Sequence, residues 1–144
     1  IAGIVDAIDH VARACGDLRF LWPVHPNPIL KSAAKGLQYI QVGAPMGSVA
    51  FRHELAGARL VITDSGGVQE EAAALGVPCL VVRTVTDRPE SVEAGVARVI
   101  GVQADEVAKA IWDELQTPTL ARRCFGGYGD GRAGERIAGL LVGM

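Results

Sequence analysis

Apolar residues recur along this chain with two periods. Ile4, Ile8 and Val11 fall at helical spacing, and Ala7 and Ala14 extend that face, so residues 1–14 are predicted to form an amphipathic helix. Gly16-Asp17 ends it. Leu18–Val24 is a short apolar run that predicts a buried strand. Pro23 is expected near the strand's end, because an interior proline would remove a ladder hydrogen bond. His25-Pro26-Asn27-Pro28 reads as a loop, and Pro28 suits the first turn of a short helix over 29–35. Leu37–Val42 is the second strand, Gly43-Ala44-Pro45 a turn, and 47–55 a helix. The third strand is Ala58–Thr63. A helix over 68–75 follows, with Val68, Ala72 and Leu75 predicted on one face. Gly76 is its cap, and Pro78 lies just past it. Pro78–Val82 and Ala97–Val102 complete the strands, with a short helix from Arg88 or Pro89 to Ala94 between them. A patterned helix spans 104–115, with Val107, Ile111 and Leu115 on one face. Thr117-Pro118 predicts a further short helix, 126–131 a glycine-rich loop, and 132–142 a terminal helix.

Short apolar strands alternating with helices predict an α/β fold: a doubly wound, mostly parallel sheet of Rossmann-like type. Residues 1–144 read as one domain. In such sheets ligands bind outside the carboxyl ends of the strands. The loop at His25, the turn at Ser65 and the stretch Arg83–Arg88 all follow strands, so all are expected along one rim.

Composition narrows the class. Apolar residues make up 49%, charged residues 21% and aromatics 5%, which suits a globular domain with an aliphatic core. A formal net charge of −2 gives no basic excess for nucleic acid. No run is long enough for a transmembrane helix, and no signal-peptide pattern is present, so no membrane partner is expected. Cys15, Cys79 and Cys124 are odd in number and widely spaced, which predicts free thiols in a reducing cytoplasm, and no histidine cluster completes a metal site. Ile1 is not a methionine and lies where a helix is already under way, which predicts a piece of a longer protein.

The chemistry concentrates at Thr63-Asp64-Ser65-Gly66-Gly67. A tight turn between a strand and a helix presents unpaired N–H groups and the positive end of the helix dipole, which suits an anion. Two glycines would permit unusual φ values and close approach of a ligand. The plain alternative is a helix cap formed by Ser65. The dipole is worth about 0.3–1 kcal/mol when exposed, so a cation is needed beside it. Arg88 is the first candidate and Arg83 the second, since guanidinium matches phosphate geometry. Glu71 shares the face of Gly67 and suits a bidentate bond to ribose hydroxyls. Its alternative, a solvated acid near a helix start, is the reading taken for Glu70. Phe51 reads either as a base-stacking residue or as core. His25 reads either as a ligand-contacting or gating residue or as a loop residue held by prolines. Asp-Ser-Gly-Gly also occurs in chymotrypsin-like serine proteases, but there it sits on an all-β fold with a histidine base.

Four segments carry a family resemblance: PVHPNP (23–28), TDSGGVQEEAAALGVPCLVVR (63–83), TDRPESVEAG (86–95) and YGDGRAGERI (128–137). Together and in order they resemble the C-terminal half of bacterial non-hydrolysing UDP-N-acetylglucosamine 2-epimerases, over about residues 18–140. The resemblance implies one half of a GT-B architecture. It implies that Ser65, Gly66 and Gly67 contact the UDP diphosphate, that Glu71 holds the ribose, and that Arg88 contacts the phosphates. It places Phe51 at the uridine pocket and His25 at a second, allosteric UDP-GlcNAc contact. It implies no cofactor and no metal. As partners it implies a UDP-sugar substrate, an N-terminal domain of the same enzyme and, for the full-length protein, a homodimer. The proton-transferring carboxylates are expected in that N-terminal half, so this chain alone is expected to be inactive. The rival readings are the donor-binding half of a GT-B glycosyltransferase and a non-catalytic sugar-nucleotide-binding module. The sequence also departs from the family pattern: Met46 stands where Gln or Asp is common, Ser48 where Tyr is usual, and Gly126-Gly127 where Asn-Pro is common.

Overall fold

A computed structural model describes residues 1–143. Five short strands, β1 (Phe20–Pro23), β2 (Ile40–Gly43), β3 (Val61–Thr63), β4 (Cys79–Val81) and β5 (Ala97–Val99), alternate with seven helices. The helices are α1 (Ala2–Ala14), α2 (Pro28–Ala33), α3 (Ser48–Gly57), α4 (Gly66–Leu75), α5 (Pro89–Glu93), α6 (Ala104–Gln116) and α7 (Ala133–Val142). All strand pairs are parallel, as the alternation of strands and helices predicts. β1 pairs with β2 from Phe20↔Ile40 to Pro23↔Gly43. β4 lies between β3 and β5, with Val61↔Cys79 and Cys79↔Ala97 in register.

The side-chain alternation of β4 separates two cores. Leu80 points to one face and packs with Val11, Cys15, Val107, Ile111 and Leu115, so α1 and α6 cover that side. Cys79 and Val81 point to the other face and join Leu55, Ala72, Val77 and Ala97, which brings α3 and α4 over them. Leu18 and Phe20 share the first cluster with Leu60 and Ile62, so both small sheets contribute to one core. The free Cys15 and Cys79 are buried in these layers, and burial pushes the Cys79 thiol up to about 12.

Several expectations need correction. The short helix expected at Thr117-Pro118 is absent. The Glu114 carboxylate instead accepts the Thr119 N–H at 2.8 Å and the Leu120 N–H at 2.9 Å, which satisfies those donors without a helical turn. Leu75 does not share a buried face with Ala72: it is 38% exposed, and Gln69, Ala72 and Ala73 form the inner face of α4. The third strand starts at Val61 rather than Ala58, and the Ala58 carbonyl accepts from Arg122 at 3.0 Å.

The C-terminus of α4 is closed by Gly76 at φ 71°, with Val77 N–H donating to Ala72 O at 2.8 Å. A side chain there would meet Cys124 N at 2.9 Å, because the 123–125 segment runs directly over it. Phe125 N–H also donates to Ala73 O, which fixes this end of the helix. The opposite end, at Gly66, is therefore held in place beneath the rim where β3 and β4 finish.

Candidate functional site

Two loops meet at the start of α4. The first is the turn after β3. Ser65 N–H donates to Thr63 Oγ1 at 3.0 Å, and Ser65 O accepts the first helical bond, from Gln69 N–H, at 3.1 Å. Ser65 occupies the N-cap position, but its hydroxyl makes no capping bond. The helix cap weighed as the plain alternative is thus not formed by that side chain, and the first N–H groups of α4 gain no partner from it. Neither Gly66 nor Gly67 has positive φ, so unusual backbone geometry is not what these glycines supply. Gly66 stands beside the charged side chains of the next loop, at ordinary contact distance. A methyl group there would lie 3.5 Å from both carboxylate oxygens of Asp87 and 3.6 Å from Arg88 Cζ.

The second loop follows β4 and carries the cations. Arg83 Nε donates to Asp64 O at 2.6 Å, which ties the loop to the turn, and its NH1 reaches Asp87 Oδ1 at 3.0 Å. Arg88 NH1 reaches Asp87 Oδ2 at 3.0 Å, and Arg88 Nε is bonded to Glu70 Oε1. The Glu70 bond and charge, with Asp87 and the nearby Tyr128 phenol, hold the Arg88 guanidinium above its ordinary value, although burial opposes this. Arg88 therefore stays charged throughout the working range of proteins.

The Arg88 backbone is held from both sides. Its N–H donates to Thr86 Oγ1 at 3.1 Å, and that hydroxyl donates to Gln69 Oε1 at 2.7 Å. Its carbonyl accepts from Ser91 Oγ at 3.0 Å. Gln69 and Ser91 are fully buried, so these polar links have little freedom to reorganise. Among the described residues Gln69 Nε2 has no hydrogen-bond partner.

The sequence candidates separate into two groups. Ser65, Gly66, Gly67 and Arg88 converge at the helix start. Glu71 follows on α4 and is exposed. Phe51, on α3, is half-buried and packs beside the core cluster containing Leu55 and Ala72, so it is partly a core residue. His25 lies in the exposed loop after β1, where its Nδ1 accepts from Asn27 N–H at 3.3 Å. Among the described residues no hydrogen bond or ion pair joins His25 to the α4 turn, and none joins a histidine to Ser65 Oγ, so no serine nucleophile is assembled.

Sequence reasoning missed four participants. Glu70, expected to be merely solvated, holds Arg88. Gln69 and Thr86 form the buried relay, and Asp87 bridges the two arginines. Only the adjacency of Glu70 to Glu71 and of Asp87 to Arg88 could have suggested them. Asp130, in the loop expected over 126–131, accepts the Arg132 N–H at 3.1 Å and pairs with Arg136 at the start of α7.

The family model described as UDP-N-acetylglucosamine 2-epimerase matches residues 1–142. A relative from Ralstonia solanacearum, named "Probable UDP-N-acetylglucosamine 2-epimerase", is 37% identical over 141 residues, covering 93% of this chain and 38% of its own. The solved Staphylococcus aureus MnaA–UDP co-structure is 32% identical with a TM-score of 0.88, covering 97% of this chain and 39% of that one. The Neisseria meningitidis UDP-GlcNAc 2-epimerase bound to UDP-GlcNAc is 26% identical with a TM-score of 0.89, covering 99% and 40%. The chain thus spans about two fifths of the length of the proteins it matches.

Proposed function

We propose, for a chain that belongs to the UDP-N-acetylglucosamine 2-epimerase family, a role as the UDP-binding half of such an enzyme. The observation that carries this reading is the Arg88 guanidinium standing against Gly66 at the start of α4, with Arg83 tied to the same turn through Asp64 O and to Arg88 through Asp87. Cations with planar donor geometry, beside a helix start that no side chain caps, suit a diphosphate.

In this reading Ser65, Gly66, Gly67 and Arg88 hold the diphosphate, Glu71 holds the ribose and Phe51 lines the uridine pocket. His25 is assigned to a second, allosteric contact. The complete enzyme eliminates UDP from UDP-GlcNAc to give 2-acetamidoglucal, then adds UDP back to give UDP-ManNAc. As the sugar–oxygen bond breaks, negative charge develops on the leaving diphosphate. Donors already aimed at that charge stabilise the transition state more than the ground state. The proton at the sugar's second carbon needs acid–base groups, and these are assigned to an N-terminal domain that closes the cleft. A cytoplasmic, homodimeric full-length protein completes the proposal. No helix among the described residues is long and apolar enough to cross a membrane.

The full-length protein containing this chain, given UDP-GlcNAc, should form UDP-ManNAc, and this chain alone should form none. Transfer of the sugar to an acceptor without epimerisation would contradict the proposal.

A further inference from the structure

The loop after β4 brings a carboxylate to the α4 turn together with its two cations. Asp87 Oδ1 lies 3.0 Å from Arg83 NH1, and Oδ2 lies 3.0 Å from Arg88 NH1. Both oxygens stand against Gly66, at 3.5 Å from the position a methyl group would take there. The carboxylate thus occupies the position between two guanidiniums and a helix start. A phosphoryl group would find the same partners there.

Three features make this an exchangeable contact rather than a fixed one. The Asp87 side chain is 58% exposed, so its pairings are screened by water and individually weak. Arg83 keeps a separate anchor on Asp64 O through Nε. Arg88 keeps a separate anchor on Glu70 through its own Nε. Both cations therefore stay in place when the Asp87 carboxylate leaves. Glu70, Asp87, Arg83 and Arg88 together carry no net charge, so a singly charged anion replacing the carboxylate gains nothing electrostatically. A diphosphate carries more charge and has two phosphoryl groups to span both arginines.

We propose that Asp87 is a built-in competitor for the diphosphate: its carboxylate fills a phosphoryl position between Arg83 and Arg88, and ligand binding displaces it. This rests on reading the α4 turn as a diphosphate site. Asp87 thereby weakens binding and selects for ligands with more than one negative charge.

The test is calorimetric titration of this chain, wild type and Asp87→Asn, with UDP and with inorganic pyrophosphate. Asn keeps the shape and removes the charge. Asp87→Ser serves as a second uncharged side chain, and thermal unfolding checks that each variant is folded. The expected result is binding about two- to fivefold tighter for both ligands in the uncharged variants, with Asp87→Glu no tighter than wild type. Detectable binding only in the uncharged variants also supports competition. Wild-type binding with equal or weaker binding in the uncharged variants overturns the proposal, because the carboxylate would then be orienting the arginines. If folded wild type and uncharged variants all fail to bind either ligand, the diphosphate reading of the turn falls and the proposal falls with it.

Discussion

Arg88 Nε donates to Glu70 Oε1, joining residues 18 positions apart and tying the loop after β4 to the N-terminal half of α4. The bond uses one nitrogen of the guanidinium and leaves NH1 directed to Asp87 beside Gly66. Glu70 thus sets where the cation points. Glu70→Ala should weaken UDP binding about two- to fivefold, as expected for one partly exposed ion pair. Titration of the folded variant checks this. The opposite sign expected for Asp87→Asn separates the anchoring carboxylate from the competing one.

Thr86 carries the second support of Arg88. Its hydroxyl donates to Gln69 and accepts from the Arg88 N–H. Thr86→Val keeps the shape but leaves both amide ends of the buried Gln69 without a partner. The expected loss is about 1–3 kcal/mol of unfolding free energy, read from denaturant midpoints. Thr86→Ser should restore most of it. A valine variant as stable as wild type would show that the relay contributes nothing.

Glu114 predicts an acid limb in the stability curve. Its side chain is 3% exposed, and burial alone would push its carboxyl up. The Leu120 and Thr119 N–H groups, the Thr119 hydroxyl and the Arg98 charge outweigh burial, so the carboxyl sits below the ordinary glutamate value of 4.5. The folded pKa lies below the unfolded one. The stability contributed is therefore complete above the unfolded value and is lost as pH falls from 4.5 through the folded pKa. Thermal unfolding across this window should show a steeper decline for wild type than for Glu114→Gln. Parallel curves would contradict it.

Much of the fold was legible because it depends on local pattern. The periodic face of Val107, Ile111 and Leu115 predicts α6, and those residues do form its buried side. Glycine at 76 followed by proline at 78 predicts the end of α4, where Gly76 takes the left-handed conformation. The turn at Ser65 was legible for the same reason. Errors occur where a side chain from elsewhere decides. Glu114 captures the N–H groups that a helix after Thr117 would use. Leu75 matches the period of α4, but the inner face belongs to Gln69, Ala72 and Ala73. The pairing of Glu70 with Arg88 and the bridging by Asp87 require β3 and β4 to be neighbours, and no local pattern states that.

The central claim is that the α4 turn, with Arg88 beside it, holds the diphosphate of UDP. Calorimetric titration of this chain with UDP tests it most directly, with Arg88→Ala as the comparison and thermal unfolding as the check on folding. Weak but measurable binding by wild type, abolished in Arg88→Ala, is the predicted result. Failure of the folded wild-type chain and of folded Asp87→Asn alike to bind UDP at millimolar concentration, or an Arg88→Ala variant that binds as well as wild type, would contradict it.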